Sequence, residues 1–309
     1  MTSSLEAPQE TANPSEAAVR RLKKNPGSAS ALFNTAMTGV AGLCAMLAIA
    51  PLIAILFYVL FQGWQRLDLP LLTQLPPPPL VEGGGLGNAI IGTLLVVGIA
   101  TGMAVPFGIL AAVYLAEFSG DRPKIARNIR FATNVLSGVP SIIAGVFAYG
   151  LLVATGALGY SAIAGGMALA VLMLPTIVRT TDEALQLVPQ DLRWAAASVG
   201  ASSHQTLLKI VLPAAVPSIL TGVVLAVARA AGETAPLIFT ALNSSFWPRS
   251  LLEPIATLAV NVYNFALVPY ANQQQLAWAG ALILVILVLA TSVISRSVTR
   301  RRISEQQGG

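Results

Sequence analysis

The chain has 309 residues, of which 55% are hydrophobic and only 10% charged, against about 25% charged in a typical soluble domain. That balance argues against a soluble enzyme or a nucleic-acid-binding module and for an all-α, polytopic membrane protein. The formal charge of +5 fits the same class, because membrane proteins gather Lys and Arg in their cytoplasmic loops.

A membrane-crossing helix needs about 20 predominantly apolar residues. Six segments are expected to cross: Thr35–Phe61, Ala89–Ala116, Pro140–Thr155, Ser161–Val178, Pro217–Leu242 and Leu276–Ile294. The third and fourth are short, and the third gains length if it borrows Phe131–Leu136. Basic residues set the orientation. Arg20, Arg21, Lys23 and Lys24 precede the first span. Arg122, Lys124, Arg127 and Arg130 follow the second, Arg179, Arg193 and Lys209 follow the fourth, and Arg296 and Arg300–Arg302 close the chain. The other side holds only Arg66 and Arg249. Both termini are therefore expected in the cytoplasm, and an even number of spans agrees by placing them on one side.

The organisation expected from these patterns has four parts. Residues 1–30 are polar and end in RRLKK, which reads as a disordered cytoplasmic tail. Residues 31–83 hold the first span and an outer loop, QLPPPPLVEGGGLG (Gln74–Gly87), whose prolines favour an extended polyproline path. Residues 84–298 form the main transmembrane domain, and 299–309 a cytoplasmic C-terminal tail. Cys44 lies in the first span and reads as a small buried apolar residue. His204 lies in a polar loop and reads as a solvated side chain.

Near the end of the fourth span, VRTTDEAL (Val178–Leu185) places Arg179 three residues before Asp182 and four before Glu183. These residues share one helix face. The cluster reads either as a positive-inside anchor with local ion pairs or as an inner gate whose pairs exchange during transport.

The loop 186–213 is patterned. Asp191 is expected to cap a short helix after Pro189, with Leu192, Ala195, Ala196 and Val199 on its apolar face. Gly200 supplies the left-handed residue that ends a helix. Ser202 and Gln205 make a capping box for the next one, which carries Leu207, Leu208 and Leu212 toward Pro213. A short helix held out by a glycine turn suits docking into a groove of another protein. Ala195, Ala196, Gly200, Ile210, Leu212 and Pro213 match the EAA-x3-G-x9-I-x-L-P loop of permease subunits of binding-protein-dependent ABC importers, and the chain resembles that family here. Trp194 stands where the family has Glu, so any contact made by that Glu is not carried over. The resemblance implies a MetI-like permease fold and a coupling helix that fits a cleft of an ATPase subunit. The sequence contains no GxxxxGK[ST] phosphate loop, so ATP-Mg is expected on a partner ATPase, with no cofactor and no metal on this chain.

The fifth span carries two full charges, Arg229 and Glu233, four residues apart in AVARAAGETAPLIF. Each costs about 2.5–3.5 kcal/mol at the centre of a membrane helix. On one helix face they can pair. Gly232 weakens the helix and Pro236 removes the hydrogen bond to the Gly232 carbonyl, so a kink is expected beside the pair. Thr234 can bond back to the helix. The pair reads either as a pin between helices or as a polar station where Arg229 meets an anion and Glu233 holds its guanidinium. Beyond it, EPIATLAVNVYNF (Glu253–Phe265) is expected as an amphipathic helix on or dipping into the membrane surface, with Trp247, Tyr263 and Tyr270 at the interface. A short echo, VPSIIAG (Val139–Gly145) and VPSILTG (Val216–Gly222), reflects shared helix-start geometry, with proline in the first turn.

FGILAAVYLAEF (Phe107–Phe118), SGVPSIIAG (Ser137–Gly145), LPTIVRTTDEAL (Leu174–Leu185) and ARAAGETAPLIFTAL (Ala228–Leu242) together resemble the permeases of phosphate importers. That resemblance implies a PstC-like second permease, PstB-like ATPase subunits and a PstS-like external phosphate-binding protein. It makes Arg179, Asp182, Arg229 and Glu233 candidate transport residues in a bacterial inner membrane. Two rivals stay open: an importer of another oxyanion such as molybdate or sulfate, and a lipid-modifying membrane enzyme. The enzyme would need a nucleophile or base cluster, and the chain has no His cluster, metal-ligand spacing or Gly-x-Ser-x-Gly elbow. A passive channel would show flux without ATP.

Overall fold

The protein is described here from a computed structural model, covering residues 29–120 and 123–307, without the side chains of 294–296 and 298–307. It is helical throughout, with no strand among the described residues. The chain divides into two compact units, Met1–Tyr58 and Val59–Gly309. The expected N-terminal tail lies outside the described residues except for Ala29 and Ser30, which open the first helix.

Helix α1 (Ala29–Trp64) forms most of the first unit, its last turns from Val59 belonging to the second; it is apolar and most of its side chains are exposed. Exposed apolar side chains on a helix long enough to cross a membrane are solvated by lipid. Its hydroxyls are satisfied within the helix: Thr35 donates to the Ala31 carbonyl and Thr38 to the Asn34 carbonyl. Cys44 is exposed on this helix, not buried as its composition suggests. The apolar solvent expected around it is lipid.

In the second unit, α2 (Leu69–Thr73) is capped by Asp68, whose carboxylate accepts the Leu71 N–H at 2.9 Å. It leads into α3 (Gly87–Glu117). Next come α4 (Pro123–Gly138) and α5 (Ser141–Ala148), the latter continued by a wide π turn over Tyr149–Val153. Helix α6 (Ala162–Gln186) is the most buried span. The core joins Val96, Ala100 and Ala104 of α3 to Leu169, Met173 and Ile177 of α6, with Ala226 and Ala230 behind them. Small residues dominate because lipid supplies no hydrophobic drive between helices, so close backbone approach must.

Three expectations change. The third span does not extend straight back through Phe131–Leu136, because α4 and α5 meet at 106°. Pro140 precedes α5, where its missing N–H costs nothing, and the residue before a proline avoids helical geometry. The described residues therefore hold five helices long and apolar enough to cross, or six if this bent pair counts as one. The fifth span also shifts. The helix begun at Ser203 runs through α8 (Ser203–Thr206), a π turn over Leu207–Val211 and α9 (Leu212–Ala231), so the loop's second helix is the start of the span itself. The wide turn sits just before Pro213, which cannot donate and would clash with the carbonyl four residues back; the Leu212 N–H reaches the Leu207 carbonyl instead.

Finally, Glu253–Phe265 does not lie on the surface along its whole length: Glu253 and Tyr263 are exposed, but its middle is packed within the protein. Ile255–Asn261 are buried, and α11 (Leu258–Leu267) starts against α3, where the Leu258 N–H donates to Thr93 Oγ1 at 2.8 Å. The last helix, α12 (Ala271–Gln307), runs well past Ile294 and through residues 299–307.

Candidate translocation and coupling sites

The charged pair of the fifth span stands at a break, not a kink. Helix α9 stops at Ala231, and α10 (Ala235–Thr240) begins after a three-residue gap. Pro236 is the second residue of α10, a place where its absent N–H has no helical partner to lose. Gly232 and Glu233 close the end of α9 with short bonds to the Arg229 and Ala230 carbonyls. Thr234 makes no side-chain cap. Helix α10 packs on α5 backbone to backbone: a Cβ added to Gly145 would stand 2.5 Å from Pro236 Cα.

Arg229 Nε lies 3.5 Å from Glu233 Oε1, with the arginine side chain 61% exposed and the glutamate 16%. The carboxylate is held within the protein while the guanidinium reaches outward. Arg229 also occupies the last turn of α9, where the negative end of the helix dipole favours a cation.

The second cluster is arranged differently from the sequence pattern. Arg179 Nε pairs with Glu183 Oε1 at 3.0 Å on the exposed side of α6. Asp182 turns away from Arg179. Its two oxygens take Arg130 of α4 at 3.3 Å and the Gln186 amide at 2.9 Å. Arg130, Thr133, Asn134, Arg179, Asp182, Glu183 and Gln186 surround a cavity of about 320 Å³, closed by Leu115 and Val178. Two arginines face two carboxylates there, so the cavity is electrically balanced as it stands. An anion entering it would meet arginines that already hold carboxylate partners. The two charge groups occupy different levels. Gly222 of α9 meets Thr180 of α6, and Arg229 lies seven residues further along α9, about 10 Å of helix rise.

In the sequence, Arg130 stands among the other basic residues of a cytoplasmic connection, Arg122, Lys124 and Arg127, which hides its role. Arg130, Thr133, Asn134 and Ser137 do recur at helical spacing, a polar stripe on one face of α4.

The coupling loop follows its sequence pattern with one shift. Helix α7 spans Gln190–Ser198 and starts at Pro189; Asp191 is in its first turn, where it favours the dipole without capping. The helix ends in a Schellman turn. The Gly200 N–H bonds the Ala197 carbonyl, the Ala201 N–H bonds the Ala196 carbonyl, and Gly200 has φ +82°. Ser202 and Gln205 form the reciprocal capping box. Ala196 is buried, whereas Leu192, Trp194 and Val199 are exposed, Val199 at 85%. Ile210, Leu212 and Pro213 lie half-buried at the base of α9, beside a cluster of Leu185, Val188, Leu207 and Val211. The loop is thus anchored by its inner face and presents apolar side chains outward. His204 is exposed, with its ring 5.8 Å from that of Phe118.

Comparison with known proteins identifies the class. Residues 104–304 match the family of inner membrane components of binding-protein-dependent transport systems. The fold is that of ABC importer permeases: the alginate ABC transporter superposes with a TM-score of 0.61 at 14% identity, over 87% of this chain and 94% of its own. The MetNI methionine ABC transporter does so with 0.57 at 20%, over 70% and 95%. Curated relatives are closer. The phosphate transport system permease protein PstA of Yersinia pestis is 43% identical over 81% of this chain and 84% of its own. That of Haemophilus influenzae is 43% identical over 85% and 92%. The chain belongs to the inner membrane components of binding-protein-dependent transport systems and, within them, to the PstA family. It is a multi-pass inner-membrane transport subunit, and as an ABC importer permease it acts with ATPase and substrate-binding partners.

Proposed function

We propose that this chain forms half of a phosphate import pathway, paired with a PstC-like permease, driven by ATP-Mg on PstB-like ATPase subunits and supplied by a PstS-like external binding protein. Both termini face the cytoplasm, and the exposed side of α7 seats in the ATPase. The observation that carries the reading is the Arg229–Glu233 pair at the break between α9 and α10. A guanidinium kept 61% exposed and paired through Nε with a carboxylate only 16% exposed is a cation positioned to meet an anion while its carboxylate stays beside it. Asp182 and Arg179 form a second station nearer the cytoplasm, where an arriving anion takes the place of a carboxylate and the pairs re-form behind it.

Glu233 gives a reason for choosing phosphate. Near neutral pH, phosphate retains a proton that it can donate to the Glu233 carboxylate, whereas sulfate has none to give. A site that expects a donor rejects a ligand lacking one. The test is uptake of labelled phosphate by membrane vesicles containing the complete importer, with sulfate and molybdate as competitors. Arg229→Ala should abolish uptake with normal membrane content, and Glu233→Gln should weaken the discrimination against sulfate. Preferred uptake of sulfate or molybdate by the wild type would replace phosphate with that anion. Uptake without ATP would contradict the importer reading, and turnover of lipid by the isolated chain would support an enzyme.

A further inference from the structure

The coupling helix is tied to two spans through one side chain. Arg193, in α7, reaches Glu117 at the last position of α3 with one terminal nitrogen, and the Leu185 carbonyl of α6 with the other, at 3.1 Å. Glu117 and Arg193 are 76 residues apart in sequence, and both side chains are 18% exposed. The placement of each partner is informative. A carboxylate at a helix C-terminus faces the negative end of the dipole and is disfavoured there unless a cation compensates. Leu185 supplies one of the last four carbonyls of α6, reached otherwise only by the Leu187 and Val188 N–H groups just beyond the helix. Arg193 therefore meets the ends of both spans with a single fork, two terminal nitrogens held in one plane, a fixed spacing that an ammonium lacks.

Helices α3 and α6 pack closely: a Cβ on Gly108 would stand 2.7 Å from Ile177 Cγ2, so the Ile177 side chain lies directly on the α3 backbone. Leu185 is three residues beyond Asp182. A displacement of α7 is thus delivered to the same helix end that holds the Asp182–Arg130 pair.

We infer that Arg193, with Glu117, is the positioning link that carries movement of the coupling helix into the α3–α6 pair. It touches no substrate. The inference rests on the ATP-driven import reading and adds the residue through which drive reaches the pathway.

The test uses the complete importer in membrane vesicles, with phosphate uptake, ATP hydrolysis and the amount of co-purifying ATPase measured together. Arg193→Ala and Glu117→Ala should each lower uptake roughly three- to thirty-fold, while bound ATPase is retained and hydrolysis falls much less. ATP consumed per phosphate imported therefore rises. Arg193→Lys should remain nearer Arg193→Ala than wild type, because it loses the fork. The double variant should be no worse than the worse single one, because both remove one link. Uptake, hydrolysis and bound ATPase falling in parallel would make Arg193 a scaffold residue and overturn the inference, as would additive losses or unchanged uptake. Absence of ATP-dependent phosphate uptake in the wild type would instead count against the importer reading.

Discussion

Gly200 offers a graded test of the coupling turn. It ends α7 at φ +82°, in a Schellman turn held by two backbone bonds. A Cβ built there meets nothing within 4 Å, so a substitution is penalised through the backbone alone, without a clash. An L-residue in the left-handed region costs roughly 1–2 kcal/mol, about 5- to 30-fold in the population of the native turn. A β-branched side chain lies toward the upper end of backbone strain, about 3 kcal/mol or roughly 150-fold. Asn tolerates this region better than either Ala or Val. Phosphate uptake per copy of the chain should therefore fall in the order Gly200→Asn, Gly200→Ala, Gly200→Val, and the last should hydrolyse ATP with little uptake. The assay is paired uptake and hydrolysis in vesicles, normalised to membrane content. Val coupling as well as glycine, or losses that ignore the Asn, Ala, Val order, would refute the argument that the turn's backbone sets the docking geometry.

Two further predictions concern the frame around the pathway. Thr93→Val removes the acceptor of the buried Leu258 N–H and should cost about 1–3 kcal/mol, seen as a lower melting temperature in detergent, whereas Thr93→Ser stays close to wild type. Arg130→Ala takes the cross-helix partner from Asp182, whose side chain is 11% exposed. Because Arg130 is itself about half exposed, the cost should be nearer 1 kcal/mol than the several expected of a fully buried pair. Adding Asp182→Asn should recover most of that stability but not uptake.

Much of this architecture is legible in the sequence, and the exceptions have physical causes. The spans α3, α6 and α12 follow from continuous apolar stretches. The turn at Gly200 and the capping box at Ser202 were readable because each depends on a few neighbouring residues. The break after Ala231 looked like a kink because Pro236 suits a helix interior disruption and a helix start equally well, and only the packing of Pro236 on Gly145 separates them. The capping box at Ser202 marks a helix start but not its continuation into the span, which depends on the π turn before Pro213. Asp182 is paired with Arg179 by helical spacing because that is the only distance a sequence contains. Its arginine comes from 52 positions upstream, Arg130 on α4. Arg193 was hidden for the same reason, with Glu117 on another helix.

The reading rests on Arg229 meeting the anion as a charge, and the lone cysteine makes this directly testable. With Cys44→Ser as background, Arg229→Cys should insert normally and import no phosphate. Attaching a cationic ethylammonium group to that thiol should restore a measurable part of the ATP-driven uptake, and an anionic sulfonate group should not. Equal uptake with either group, or full uptake by Arg229→Cys before any modification, would contradict the account.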